Sequence, residues 1–227
     1  MLRVVALQFV IFSWLIANSA SSKIISIDKE YATIESVEIL KGTSAIVVRE
    51  FNNHKIIVSY AVAISNNRIK LKEYTNLKQD SFPKPISKPK IGDSVMFGFY
   101  DQRSMIIAPN KTIYDRLKST TDKELIHPDL LAVHLNNNGV VNPTKKDFNY
   151  MCNEYSIGTL EFVVLDNIYS VDCLSFNILK TTSLKVTNKE TRLPFYSRLD
   201  EIKKNLFNFS EDIKNYDEYY KKLLDIR

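Results

Sequence analysis

The side chains best equipped for chemistry gather in HPDLLAVHLNNNGVVNPTKKDF, residues 127–148, where two of the chain's three histidines, His127 and His134, flank Asp129. A metal centre is the first chemistry such residues suggest. On one helix, however, histidines at positions 127 and 134 lie two turns apart on the same face, with Asp129 pointing elsewhere. Zinc-binding helices space their histidines as in H-E-x-x-H, and no third ligand of suitable type stands at useful spacing here. His127, ahead of Pro128 and Asp129, has the pattern of a helix start, so both histidines are expected to be structural. Cys152 with either histidine could form a thiol–imidazole pair, but their adjacency in the fold is not legible from spacing. The chain has no G-x-S-x-G, no Gly-rich phosphate loop and no C-x-x-C, and its five glycines leave little with which to build such turns. The expectation is a protein with no catalytic residues, no metal and no cofactor.

The elements that position these residues divide the chain. Residues 23–108 read as short strands with polar turns and no long helix, which suggests a small barrel or a strongly curved sheet. In KIIVSYAVAI, residues 55–64, one face (Ile56, Val58, Tyr60, Val62, Ile64) is strongly apolar and the other carries small residues, so a half-buried strand is expected. Asn-rich turns on both sides make 44–74 a three-stranded meander. SVMFGFY and SMIIA read as a further hairpin across Asp101-Gln102-Arg103. Between them, residues 75–91 alternate proline and lysine and read as a solvated loop.

Residues 109–193 change period. Asn110 is placed to cap a first helix, HPDLLAVHL forms a second stopped by Asn-Asn-Asn-Gly, and PTKKDFNYMCNEY a third with Pro143 in its first turn. TLEFVVLDNIYSVDCLSFNIL then reads as a hairpin turning at Asp166-Asn167. From 194 to 227, Leu199, Ile202, Leu206, Phe209, Ile213, Tyr216, Tyr220 and Leu223 recur at steps of three and four, which predicts one long amphipathic helix. It docks on the protein's own body or pairs with another chain. The fold class is therefore α+β: a barrel-like β-rich N-terminal half, an α+β second half and a long amphipathic C-terminal helix.

The first 22 residues read as a signal peptide, with an uncleaved N-terminal anchor as the other reading; Arg3 is the only charge, and the apolar run from Val4 to Ala17 is too short to span a bilayer comfortably. Ala17 and Ser19 fit the small-x-small cleavage pattern best, with Ser19 and Ser21 as the alternative. No later apolar run approaches membrane-spanning length, so an exported protein with no span after cleavage is expected. The formal charge of +5 becomes +4 without Arg3 and is mixed in sign along the chain, which argues against nucleic-acid binding. In an oxidising compartment Cys152 and Cys173 could pair as a disulfide, with two buried free thiols as the other reading.

Taken in order, SMIIAPNKTIYDRL, IHPDLLAVHL, NPTKKDFNYMC, SIGTLEFVVLDNIYSVDCLSFNIL and TRLPFYSRLD resemble the N-terminal domain of the bacterial plasminogen-binding proteins of the PgbA and PgbB type, from about Gly42 to Leu199. The resemblance implies an exported protein of the periplasm or outer-membrane surface of a Gram-negative bacterium. Its partner would be host plasminogen, captured through the lysine-binding sites of kringles. The family carries a Lys- and Glu-rich C-terminal region after this domain; here the sequence predicts one helix ending in Arg227, with no terminal lysine as kringle ligand. A kringle pocket holds a cation at one end and a carboxylate at the other over an aromatic floor, so a helix offering both can imitate a terminal lysine. The candidates are Asp217 with Lys221, Glu218 with Lys222, and Asp200 and Glu201 with Lys203 and Lys204. The alternatives are ordinary salt bridges on a helix surface and, for the whole chain, a periplasmic or envelope structural or assembly protein whose partner is another envelope protein.

Overall fold

The computed structural model describes residues 20–52, 54–74, 88–185, 190–199, 201–203 and 212–226. Residues 1–19, which hold most of the expected signal peptide, lie outside that set, as does the Pro/Lys stretch over 75–87. Six antiparallel strands, β1 (Ser21–Asp28), β2 (Tyr31–Ile34), β3 (Ser44–Phe51), β4 (His54–Ser65), β5 (Arg68–Lys72) and β6 (Ser94–Phe97), close a barrel in the order β1-β2-β5-β4-β3-β6. The boundary drawn at residue 22 falls inside β1, because Ser21 and Ser22 pair with Met96 and Val95, and the Ala20 carbonyl accepts from Phe97 N–H.

The meander over 44–74 is present, but β4 is oriented differently from its apolar pattern. Ala61 and Ala63 point into the barrel, where they meet Val47, Ile69, Val95 and Phe97, while Tyr60 faces outward and is covered as well. A register shift at Val47/Val48 changes the alternation. The physical reason is space: where Phe97 and Ile69 already fill the interior only small side chains of β4 fit, so Ala61 and Ala63 turn in, Tyr60 turns out toward Leu174, and Ile56 and Ile64 are exposed. Opposite β4's far end, Arg49 Nε and Nη2 grip the two carboxylate oxygens of buried Asp93 at 2.8 and 2.7 Å, fixing the turn before β6.

SVMFGFY and SMIIA do not form a hairpin. β7 (Arg103–Ile107) leaves the barrel and joins a second sheet with β8 (Glu124–Leu125), β9 (Thr159–Val164), β10 (Asn167–Asp172) and β11 (Ile178–Ser183), in the order β11-β10-β9-β7-β8. It runs parallel to both β8 and β9. Met105, Ile106 and Ile107 are all buried, and a strand apolar on both faces belongs inside a covered sheet rather than at a hairpin edge. Gly158, just before β9, lets that crossing happen: a Cβ there would lie 2.4 Å from the Tyr100 carbonyl oxygen.

Helices cover both faces of this sheet. α1 (Lys111–Lys118) lies on one, packing Ile113, Tyr114 and Leu117 on Ile106 and Val163; Asn110 Oδ1 caps it by accepting from Ile113 N–H at 3.0 Å. α2 (Asp129–Asn138) and α3 (Lys145–Tyr155) lie on the other, with Leu131, Leu135, Phe148 and Met151 against Leu160 and Phe162. Gly139, at φ 63°, ends α2 in the left-handed conformation its Asn-Gly signal predicts. α3 starts two residues after Pro143, because Thr144 caps it, its N–H donating to Asp147 at 2.8 Å. The β9–β10 turn is centred on Leu165 and Asp166, one position early, since Val164 pairs with Asn167.

The long C-terminal helix is not present among the described residues. α4 (Tyr216–Leu223) covers only its last two turns; 194–199, 201–203 and 212–215 are not helical, and Leu206, Phe209 and Lys204 fall outside the described set. The stripe reflects burial instead of a continuous helix. Phe195, Leu199, Ile202, Tyr216, Tyr220 and Leu223 all pack on the main core, which an irregular chain can do at the same spacing when it runs over an apolar face. Cys152 on α3 and Cys173 after β10 are joined in a disulfide.

Candidate functional site

Of the residues with catalytic potential, the histidines have local structural partners. His127 Nδ1 takes the Asp129 N–H at 3.1 Å, an acceptor role that a neutral ring fills, and its edge meets the Tyr114 ring. Burial lowers its pKa, against the opposing pull of the Asp129 carboxylate. Asp129 does not point elsewhere, as its helical spacing suggested: its Oδ1 lies 3.0 Å from His127 Nδ1, and the carboxylate also accepts from the Arg198 backbone N–H at 2.7 Å and Nε at 2.6 Å. His134 stacks on Tyr150 and reaches Asp147 at 3.2 Å. No group of three or more His, Cys, Asp or Glu is arranged to hold a metal among the described residues. Both sulfurs are held in the disulfide, so a thiol–imidazole pair has no thiol.

The charged C-terminal candidates are positioned by α4. Three tyrosines anchor its inner side. Tyr216 and Tyr220 are buried and donate their hydroxyls to the carbonyls of Ile107 at 2.9 Å and Pro194 at 3.0 Å, and Tyr219 donates to Pro143 at 2.8 Å. Burial holds all three phenols neutral: those of Tyr216 and Tyr220 are pushed well above the usual range, and that of Tyr219, with the Asp147 carboxylate adding to the effect, is pushed up to about 12. Asn215 Oδ1 caps the helix by accepting from Glu218 N–H at 3.0 Å, so the first-turn acids and last-turn lysines sit where the helix dipole favours them.

Asp200 and Lys204 lie outside the described residues, and the other charged candidates are not equivalent. Asp217 is engaged, its Oδ1 accepting from Leu165 N–H at 2.7 Å in the β9–β10 turn. Lys221 is half-buried and Lys203 exposed, the latter held through its backbone N–H by Asn136 Oδ1 at 3.0 Å. Glu218 and Lys222 are both exposed, stand one helical turn apart, and form no ion pair with each other or with another described residue. Among the described residues, Glu218 and Lys222 thus stand on the outer side of a helix whose inner side is anchored by its tyrosines.

Sequence reasoning missed a second polar cluster. Ser104, Lys123, Glu161, Ser170 and Lys180 line a cavity on the α1 side of the sheet. They come from five separate places in the chain and only strand register brings them together, so no motif announces them.

The family described as "Plasminogen-binding protein pgbA N-terminal" matches this chain over residues 19–224. Among curated proteins, the chain is 29% identical over 222 residues to the plasminogen-binding protein PgbA of Helicobacter pylori strain J99, covering 93% of this chain and 48% of that one. It is 28% identical to the protein of the same name from strain 26695, with the same coverage. The chain thus spans about half the length of the curated relatives it matches. No solved structure matches it. No helix among the described residues is long and apolar enough to cross a membrane. With the match running from before β1 to the end of α4, barrel, sheet and final helix together, the chain belongs to the family of the PgbA N-terminal domain.

Proposed function

We propose that this chain is an exported, non-enzymatic binding protein that holds plasminogen through the lysine-binding sites of its kringles, with Glu218 and Lys222 as the ligand pair. The observation that carries the reading is the family match over 19–224, since the relatives bear the name plasminogen-binding protein. The choice of pair is supported by helix geometry. A kringle pocket needs a cation and a carboxylate presented together, and an i,i+4 pair on a helix sets their Cβ atoms about 6 Å apart. Lys221 and Lys203 supply neighbouring positive charge that speeds encounter, while Asp217 supports the helix through Leu165. Export follows from the apolar leader, with cleavage after Ser19; Ala20 and Ser21 bond to β6, which favours that site over one after Ser21.

Equilibrium binding of the cleaved chain to plasminogen, with and without ε-aminocaproate, tests this. Saturable binding that the lysine analogue abolishes and that Lys222→Ala with Glu218→Ala weakens at least tenfold is the expected outcome. Binding unchanged in that double variant would move the site off α4. Absence of saturable binding by the folded chain at physiological salt would overturn the reading and favour an envelope structural or assembly role, periplasmic or surface-exposed.

A further inference from the structure

The cavity on the α1 side of the second sheet is a built site that plasminogen recognition does not use. α1 covers the sheet at Ile106 and Val163 and stops at Lys118, and beside it a cavity of about 380 Å³ remains open over the strands. Register composes its floor. Lys180 on β11 pairs with Ser170 on β10, Ser170 with Glu161 on β9, and Glu161 with Ile106 on β7, so three adjacent strands set cation, hydroxyl and carboxylate in one row. The row is tied at its centre by Ser170 Oγ, which donates to Glu161 Oε2 at 2.7 Å. Lys123 enters from the segment after α1, its Nζ on Thr159 Oγ1 at 3.0 Å.

Two features of this cluster call for a ligand. Glu161 is half-buried, yet neither Lys123 nor Lys180 closes on it as an ion pair; the two signs line the same cavity and stand apart. Ser104 also lines the cavity, is 1% exposed, and its Oγ has no hydrogen-bond partner among the described residues. Leaving a buried hydroxyl unpaired and a carboxylate partly desolvated with no cation in direct contact both cost stability. The arrangement becomes favourable when a guest supplies what is missing. A simple anion would meet Glu161, and a simple cation would meet two lysines. A molecule carrying both charges satisfies both ends.

We propose that this cavity binds a small zwitterion, a free amino acid, with its ammonium on Glu161, its carboxylate toward Lys123 and Lys180, and Ser104 Oγ completing the polar contacts. The site is separate from α4 and independent of plasminogen recognition. Calorimetric titration of the cleaved chain with glycine, γ-aminobutyrate and ε-aminocaproate uses the spacing between charges as a ruler, and acetate and butylamine serve as single-charge probes. One spacing binds saturably, and the single-charge probes bind at least tenfold more weakly. Glu161→Gln, which preserves shape and can still accept from Ser170, reduces that affinity at least tenfold, as does Lys180→Ala on the exposed edge strand, where folding is little at risk. Lys222→Ala leaves it unchanged, which distinguishes this site from the one on α4. Absence of binding by all three amino acids, acetate binding as tightly as any of them, or equal affinity in the Glu161→Gln and Lys180→Ala variants would overturn the proposal.

Discussion

His127 shows how a residue chosen for its chemistry becomes a sensor of acidity in the fold. Burial lowers its pKa, so on acidification the unfolded chain takes up that proton first, and stability falls as pH drops from about 6.5 through the lowered folded value. Asp129 acts in the same direction. Burial alone would raise its pKa, but the hydrogen bonds from Arg198 outweigh this and hold it below the usual carboxylate range; its contribution, present at neutral pH, is lost as pH falls through that lowered value. Urea midpoints measured from pH 7 down to pH 5 should therefore decline, and His127→Gln should flatten the upper part of that decline; an unchanged slope would mean His127 does not titrate with folding. Glu161 has the opposite sign. Burial raises its pKa, so its ionised form costs stability at neutral pH, and Glu161→Gln should raise the melting temperature at pH 7. At this scale the sequence was informative where partners are local and silent where they are not. The helix start at Pro128-Asp129 was legible from local pattern, whereas Glu161, Ser170 and Lys180 become neighbours only through β9, β10 and β11.

At the scale of elements, the helices whose ends carry their own chemistry were legible: Asn110 caps α1 and Gly139 closes α2 as read. The misreadings share one cause, which is that apolar spacing reports burial and not the element that achieves it. SMIIA was assigned to the nearest strand in sequence, although its burial on both faces fits the interior of the second sheet. The C-terminal stripe implied a helix along its whole length, although most of its described part is irregular chain packed on the core. α4 is nevertheless firmly held. Tyr220→Phe, which leaves the buried Pro194 carbonyl without its donor, should cost about 1 to 2 kcal/mol, and Tyr220→Ala about 4 kcal/mol. If denaturation shows the alanine variant no worse than the phenylalanine one, the ring does not anchor the helix.

At the scale of the whole molecule, barrel and sheet are locked at one short stretch. Asp172 at the end of β10 accepts from Ser44 N–H at the start of β3 at 2.7 Å, and Ser175 Oγ donates to the Gly42 carbonyl at 2.6 Å. Gly42 has φ 94° and lies so close to Asn177 that a Cβ would approach its side chain to 2.6 Å, so both conformation and space require glycine there. The disulfide sits beside this junction, since Cys173 follows Asp172. Replacing both cysteines by alanine should lower stability by about 3 kcal/mol, the loop-closure effect for a separation of 21 residues, and hydrogen exchange should report the added opening first in α3 and at the β3 junction. Uniform loss across the barrel would argue instead that the two halves unfold as one.

The closed barrel also bears on how copies of the protein behave when crowded. A strand edge is a template on which another chain can add itself, and a barrel offers none. The second sheet ends on β8, two residues long, and on β11, whose ILKTTS sequence is mostly exposed and polar, with Lys180 near its middle. Among the described strands, colloidal stability is thus guarded mainly along this six-residue edge, where the lysine that lines the cavity also opposes the joining of neighbouring molecules sheet to sheet.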